Sequence, residues 1–411
     1  MPAATPIPRG PTLLTLYTAT DLLVAPGCPV CRYAGEAADR YLAWFALEGH
    51  ADTVTVTRLC ASLGMCPRHT RGLMSQPGAA RRLTALYRYL TRAARDRLAG
   101  RAARLDGCPG CEHDDGAAAR ALDTLLDGLA DGQVRDRCRQ LGGLCLPHLR
   151  AASVRGDHRI LSWLAQTMTA AVGAGPAGPH WLAGTGHDAD TRAVLRGALP
   201  VAVPPGSGAC AACLAAGRGE HARLARIAGS GGQHQSDASV LLCAGHLSDL
   251  IILAGQSAAP PLLAWQASSL AATLPRPGQS PGRPTGWLRF RRGGAGPGPC
   301  PVCLEAVAAA QRAIDDLRAW LRAGPPDADH GVPLCVRHLL SLKAADPWAG
   351  QVTAAGAIDR ADLLIAELDR AFTNSTWAHR HEARGPETTA WRRAAAFLDG
   401  GVFCGCPPRR T

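Results

Sequence analysis

Lysine is nearly missing from this chain: Lys343 is the only one among 44 basic residues, and the others are arginine. A Walker A phosphate loop needs Gly-Lys, and Lys343 follows Leu342, so that class of nucleotide enzyme is excluded. Aromatic residues are scarce, at 5%. No apolar run reaches the roughly eighteen residues that a membrane span requires. The start, MPAATPIPRGPTLLTLYTATDLLVAPG, lacks the basic, apolar and small-residue succession of a secretory signal. The expectation is a soluble cytoplasmic protein with no membrane contact, in a compartment where thiols stay reduced. There is no G-x-G-x-x-G after a strand, no H-E-x-x-H and no G-x-S-x-G. His381-Glu382 does not complete a zinc-protease helix, because position 385 is Gly385. With no paired acid and base either, the sequence leans against an enzyme without deciding the point.

What the chain has is cysteine, 16 residues of it, and twelve fall into one recurring arrangement. Four times a Cys-x-x-Cys is followed by a Cys-x-x-His. The sets are Cys28/Cys31 with Cys66/His69, Cys108/Cys111 with Cys145/His148, Cys210/Cys213 with Cys243/His246, and Cys300/Cys303 with Cys335/His338. The intervals between the two pairs are 34, 33, 29 and 31 residues. Three thiolates and one imidazole complete a tetrahedral zinc shell, and a fourfold recurrence at nearly constant spacing is strong where a lone Cys-x-x-Cys is weak. The spacing therefore predicts four Cys3His zinc sites, each closed within its own repeat. Disulfide bonding and thioredoxin-type redox pairs are the competing uses of such cysteines. The absent signal argues against the first, and the matched Cys-x-x-His pairs argue against the second.

Four cysteines remain. Cys60 lies six residues before Cys66 and Cys138 seven before Cys145, so these two are expected to be repeat-equivalent. They read either as small buried hydrophobes or as accessory ligands. Cys404 and Cys406, with His379 and His381, are a candidate fifth site or incidental thiols of a tail.

Hydrophobic periodicity makes the fold mainly α: tandem helical repeats of the form CxxC–helix–loop–CxxH–helix, each organised around a Cys3His metal site. After the knuckles, Ala34, Ala37, Ala38, Tyr41 and Phe45 share a helix face, as do Ala118, Leu122, Leu125, Leu126 and Leu129, and Leu304, Val307, Ile314, Leu317 and Leu321. After the first Cys-x-x-His, Leu83, Leu86, Tyr87, Leu90, Ala94 and Leu98 form a stripe, with Arg81, Arg88, Arg92 and Arg95 opposite. Ile358, Ala361, Leu364, Ile365 and Leu368 repeat this after the fourth. Thr53 to Thr57 (TVTVT) is the best strand candidate and is short. The divisions are an N-terminal segment (1–27), repeat 1 (28–107), repeat 2 (108–175), a linker region (176–209), repeat 3 (210–274), a Pro/Gly/Arg linker (275–299), repeat 4 (300–376) and a C-terminal element and tail (377–411). The break between repeats 2 and 3 predicts two two-site halves. Such small units have little core, and a structural zinc site contributes about 10–16 kcal/mol of apparent binding energy to folding. Loss of a ligand such as Cys66 is expected to unfold one repeat first.

The stretch GCPVCRYAGEAADRYLAWF…LGMCPRHTRGL resembles a family of uncharacterised bacterial proteins defined by tandem GCPxC…GxCxxH metal-ligand motifs. WAHRHEARGPETTAWRRAAAFLDG, from Trp377, is similar to a recurrent C-terminal element of that family. The third copy departs from it, with Cys-Ala-Ala-Cys in place of the proline form. The resemblance implies an intracellular, helical, metal-binding protein and no known reaction.

Three functions follow. Four closed shells in repeat units suggest a zinc-stabilised scaffold or adaptor, most naturally for another protein. The same ligands suit iron–sulfur clusters of an electron-transfer protein or redox-complex subunit. Nucleic-acid binding is the third. Residues 81–104 hold eight arginines and one acid, Asp96, and the second linker mixes Arg283, Arg289, Arg291 and Arg292 with Trp287. Three thiolates and a dication leave −1 at each site, so four zinc ions reduce the formal +11 to about +7. That charge permits an acidic partner without requiring one. Oligomeric state is not fixed by the sequence.

Overall fold

Each of the eight ligand pairs opens a helix. The backbone N–H four residues beyond the first cysteine donates to that cysteine's carbonyl in every pair, from Leu149 to Cys145 at 2.8 Å up to Arg32 to Cys28 at 3.2 Å. One helical turn therefore places both ligands of a pair on one side of the chain. Proline follows the first cysteine at Pro29, Pro67, Pro109 and Pro301, where its missing N–H costs nothing and its φ suits a helix start.

In the computed structural model, the described residues are 11–76, 79–100, 105–153, 155, 157–173, 210–229, 241–254, 259–273, 300–324, 334–379, 381, 385–399. Both linkers fall outside them, as do Cys404, Cys406, Arg283, Trp287, Arg289, Arg291 and Arg292. The elements are α1 (Leu13–Leu22), α2 (Pro29–Leu47), α3 (Thr53–Ser62), α4 (Pro67–Met74), α5 (Ala79–Leu98), α6 (Pro109–Gly128), α7 (Gly132–Gln140), α8 (Leu146–Ala152) and α9 (His158–Gly173). Repeats 3 and 4 supply α10 (Ala211–Gly229), α11 (Ala244–Ala254), α12 (Ala259–Thr273), α13 (Pro301–Arg322), α14 (Val336–Ala345) and α15 (Pro347–Asn374), and the C-terminal element supplies α16 (Ala390–Asp399), with short 3₁₀ turns between some of them. No strand occurs among the described residues, and none of their helices is long and apolar enough to cross a membrane.

The mainly α expectation holds, with local corrections. TVTVT is not a strand. Asp52 caps it, its carboxylate accepting from the Thr55 N–H at 2.8 Å, and α3 results; a cap and packing against α5 override β-propensity. The loops expected before the first two Cys-x-x-His pairs contain α3 and α7. Both helices end in the same left-handed reversal, where Gly64 donates to Leu59 O at 2.7 Å and Gly143 to Cys138 O at 2.9 Å. Cys138 therefore corresponds to Leu59, and Cys60 stands one residue out of register; the expected equivalence of Cys60 and Cys138 is wrong. In α13, Leu304 and Val307 face solvent, whereas Val302, Ala306, Ala309 and Ala310 are buried. There the helix turns its alanine stripe inward because its partner lies so close.

That partner is α10. The two helices run antiparallel and cross at Gly219, where an added Cβ would lie 2.9 Å from Ala309 Cβ. Both residues stand nine positions after the first cysteine of their repeat. Contact between equivalent positions is the signature of a local twofold relation. The corresponding residues of repeats 1 and 2, Ala37 and Ala117, are also small and buried, and α2 packs on α6 in the same way.

Two apolar cores lie at the two ends of these crossing helices. One joins the later helices of repeats 2 and 3, with Leu149, Leu161, Leu164, Leu247, Leu262 and Leu270. The other joins those of repeats 1 and 4, with Leu83, Leu90, Leu339, Leu364 and Leu368. Each crossing helix starts in one core and ends in the other: α2 contributes Val30 to the first and Phe45 to the second, and α13 contributes Val302 and Ile314 likewise. α1 closes the first core through Ala19 and Leu22, and α16 closes the second through Trp391 and Phe397. Each repeat thus shares its knuckle helix with one neighbour and its apolar stripe with another.

Polar contacts fasten the second core. Arg88 and Arg92 of α5 meet Asp369 of α15 at 2.5 and 2.9 Å, and Arg95 meets Asp362 at 2.6 Å. Lys343 Nζ donates to Leu98 O at 2.9 Å, satisfying a carbonyl at the end of α5. Arg88, Arg92 and Arg95, three of the arginines that suggested nucleic-acid contact, are thus engaged within the fold.

Candidate metal centres

Among the described residues four clusters form, and all contain three cysteines and one histidine: Cys28, Cys31, Cys145 and His148; Cys66, His69, Cys108 and Cys111; Cys210, Cys213, Cys335 and His338; Cys243, His246, Cys300 and Cys303. All sixteen expected ligands take part. The grouping differs from the sequence expectation. Cys28/Cys31 do not join Cys66/His69; the Cys-x-x-Cys of each repeat joins the Cys-x-x-His of its neighbour, and the exchange is reciprocal within repeats 1 and 2 and within repeats 3 and 4. The cause is the helix that follows each Cys-x-x-Cys. It carries the chain to the opposite core before the Cys-x-x-His is reached, so the two pairs of one repeat sit at opposite ends of a helix about 28 Å long.

The donors fit one tetrahedral ion. Zn–S and Zn–N bonds of about 2.3 and 2.0–2.1 Å imply polyhedron edges of about 3.8 Å between sulfurs and about 3.6 Å from sulfur to nitrogen. The sulfur–sulfur approaches are 3.5 Å for Cys31–Cys145, 3.6 Å for Cys66–Cys111, and 3.8 Å for both Cys213–Cys335 and Cys243–Cys303. Every histidine faces its thiols through Nδ1, from 3.1 Å at Cys145–His148 to 3.7 Å at Cys108–His69. Two helix starts point at each cluster, and their partial positive charge favours thiolates. Backbone N–H groups add to this: Cys66 N donates to Cys108 Sγ at 3.1 Å.

Electrostatics within the clusters prepare the ligands. Burial alone would raise the Cys28 thiol, yet hydrogen bonds from Cys145 and Cys31 and the nearby His148 hold it well below its ordinary range. Cys300 is lowered by hydrogen bonds from Cys243 and Cys303. Burial opposes charge on His246, but Cys243, Cys300 and Glu220 push it up to about 12. His69 is likewise disfavoured by burial and raised to about 9 by Cys108 and Cys66. Cys145 and Cys303 are pushed the other way, Cys145 by burial and its hydrogen bonds with Cys28 and Cys31, Cys303 by its hydrogen bonds with Cys243 and Cys300, so a dication displaces their protons on binding.

Sequence reasoning missed the carboxylates behind the histidines. Glu220 Oε1 lies 3.3 Å from His246 Nε2, and both side chains are buried. Asp114 approaches His69 Nε2 to 3.9 Å while pairing with Arg68 at 2.8 Å. A carboxylate on the outer nitrogen fixes the ring and its tautomer. The signal was present: Asp114 and Glu220 fall in register with the apolar stripes of α6 and α10, where an acid needs a reason.

The leftover thiols are outside the clusters. Cys138 is fully buried in the first core, and burial pushes its thiol up to about 12. Cys60 is half-buried and also raised by burial. Among the described cysteines none is disulfide-bonded. His379 and His381 are described, but Cys404 and Cys406 are not. Searches against family models, curated proteins and solved structures find no match to this chain.

Proposed function

We propose that the protein is a zinc-stapled helical scaffold, resident in a reducing cytoplasm, whose surface engages another macromolecule. The observation that carries this reading is that each Cys3His cage joins two repeats. A metal held this way fixes how helices cross, which is an architectural role. All four coordination positions come from the protein, whereas a catalytic zinc keeps one for water or substrate. The family with tandem GCPxC…GxCxxH motifs remains part of the proposal and rests on those residues alone.

The short edges favour one ion per cage over an iron–sulfur cluster. A cluster spreads its cysteines over several irons, so the metal–metal separation adds to the distance between donors. Here all donors of a cage lie within 4.8 Å of one another.

Metal analysis with an absorbance spectrum, on protein purified without oxygen, tests the reading. Four zinc ions per chain and a colourless sample support it. Iron with acid-labile sulfide and a brown sample would replace it with an electron-transfer function.

A further inference from the structure

Outside the metal centres, an open groove of about 510 Å3 runs where α2 crosses α6. Tyr33, Tyr41 and Trp44 rise from one face of α2, and His113 and Arg120 from α6, with Arg40 at the rim and Ala37 as floor. Gly116, one turn from both His113 and Arg120, adds no side chain to that wall of α6. Glycine inside a helix costs about 1 kcal/mol relative to alanine. Tyr41 stacks on His113 with centroids 4.7 Å apart and planes 18° from parallel. Trp44 tilts 36° from Tyr41 at 5.8 Å and is 39% exposed. Trp44 is therefore an exposed ring beside two guanidinium groups, with Tyr33 partly exposed next to it. Nearby acids are largely spoken for: Glu112 binds Arg58 at 2.6 Å, and Glu36 is shared loosely between Arg32 and Arg40 at 3.9 and 3.8 Å.

The ring set of the groove has no counterpart at the matching positions of repeats 3 and 4. The positions matching Tyr33, Tyr41 and Trp44 in repeat 3 are Ala215, Arg223 and Arg226, and in repeat 4 they are Glu305, Ala313 and Asp316. Tyr33 and Tyr41 pack against the edges of the two cores, whereas Trp44 belongs to neither and is the ring the pseudo-symmetric scaffold does not need.

We propose that this groove binds single-stranded nucleic acid, stacking a base against Trp44 and Tyr33 while Arg40 and Arg120 hold the flanking phosphates. This deepens the scaffold reading by naming its partner, and it rests on that reading. Rings beside cations match a planar base attached to an anion, and stacking tolerates any base. An open trough passes a strand through, whereas a free nucleotide is better served by an enclosed pocket. The chain's own Pro/Arg segments carry the wrong charge for Arg40 and Arg120.

The test is fluorescence anisotropy of a labelled single strand of roughly 12 nucleotides, titrated with the full chain as purified with its metal. Trp44→Ala should weaken binding about 5- to 150-fold, and Trp44→Phe should keep most of it. Arg40→Ala with Arg120→Ala should weaken binding and reduce the slope of log affinity against log salt by about 2. The proposal is overturned if the strand is not bound, if duplex of the same sequence binds as well, or if a mononucleotide competes at equal concentration. Unchanged binding by these variants also overturns it, placing the contact elsewhere, as at Arg283–Arg292. Metal content measured on the same samples separates the two readings: four zinc ions without strand binding remove the groove proposal and leave the scaffold.

Discussion

Cys31 Sγ lies 3.5 Å from Cys145 Sγ, although 114 residues of chain separate them. The exchange of ligands between neighbouring repeats follows from this contact, and it can be read by counting metal. Cys28→Ser and Cys145→Ser each remove one site. Because they share it, the double variant should still hold three zinc ions, whereas Cys28→Ser with Cys66→Ser should hold two. Elemental analysis of the purified variants distinguishes these outcomes. Pairing within a repeat would give the reverse.

The same exchange changes what a lost ligand does. Cys66→Ser removes the clamp between α4 and the start of α6, so repeats 1 and 2 should loosen together rather than repeat 1 alone. Hydrogen exchange is expected to show early opening at both the start of α6 and α4. Protection of α6 equal to that of the parent protein would contradict the assignment.

A piece covering residues 11–175 contains both partners of two cages and should bind two zinc ions. It also uncovers the stripes of α5 and α9, which pack on α15 and α12 in the whole chain. We expect it to self-associate, measurable by sedimentation. Residues 28–107 alone hold no complete cage and should not bind one zinc ion tightly as a monomer.

Gly219→Val places branched carbon where even a single Cβ would sit 2.9 Å from Ala309 Cβ and 3.3 Å from Glu305 O. Overpacking of this kind costs about 1–3 kcal/mol, and β-branching adds a little in a helix. The thermal midpoint of the zinc-loaded protein should fall by several degrees. An unchanged midpoint would mean that α10 and α13 separate easily.

Glu220→Gln keeps the shape of the side chain and removes its charge from His246 Nε2. Loss of such a carboxylate lowers metal affinity about 10- to 100-fold. One zinc ion of the four should then leave to a chelator well before the others. Four equal release steps would show that Glu220 does not support the ligand.

The sequence determined the ligands, their number and the helices that begin at them. Those features are local: a Cys-x-x-Cys or Cys-x-x-His closes within one turn, and Leu83 through Leu98 declare a buried stripe by period alone. It did not determine which pair meets which. Cys28/Cys31 matches Cys66/His69 as well as Cys145/His148 in chemistry, and spacing along the chain favours the nearer pair. The choice is made by the rigid length of α2 and α6 and by their close antiparallel packing, which put the nearer pair at the wrong end. Tertiary structure likewise decided that Thr53 to Thr57 is helical, that Leu304 and Val307 face solvent, and that Arg88, Arg92 and Arg95 serve α15. In each case a contact from a distant segment outweighs a preference of a few tenths of a kcal/mol per residue.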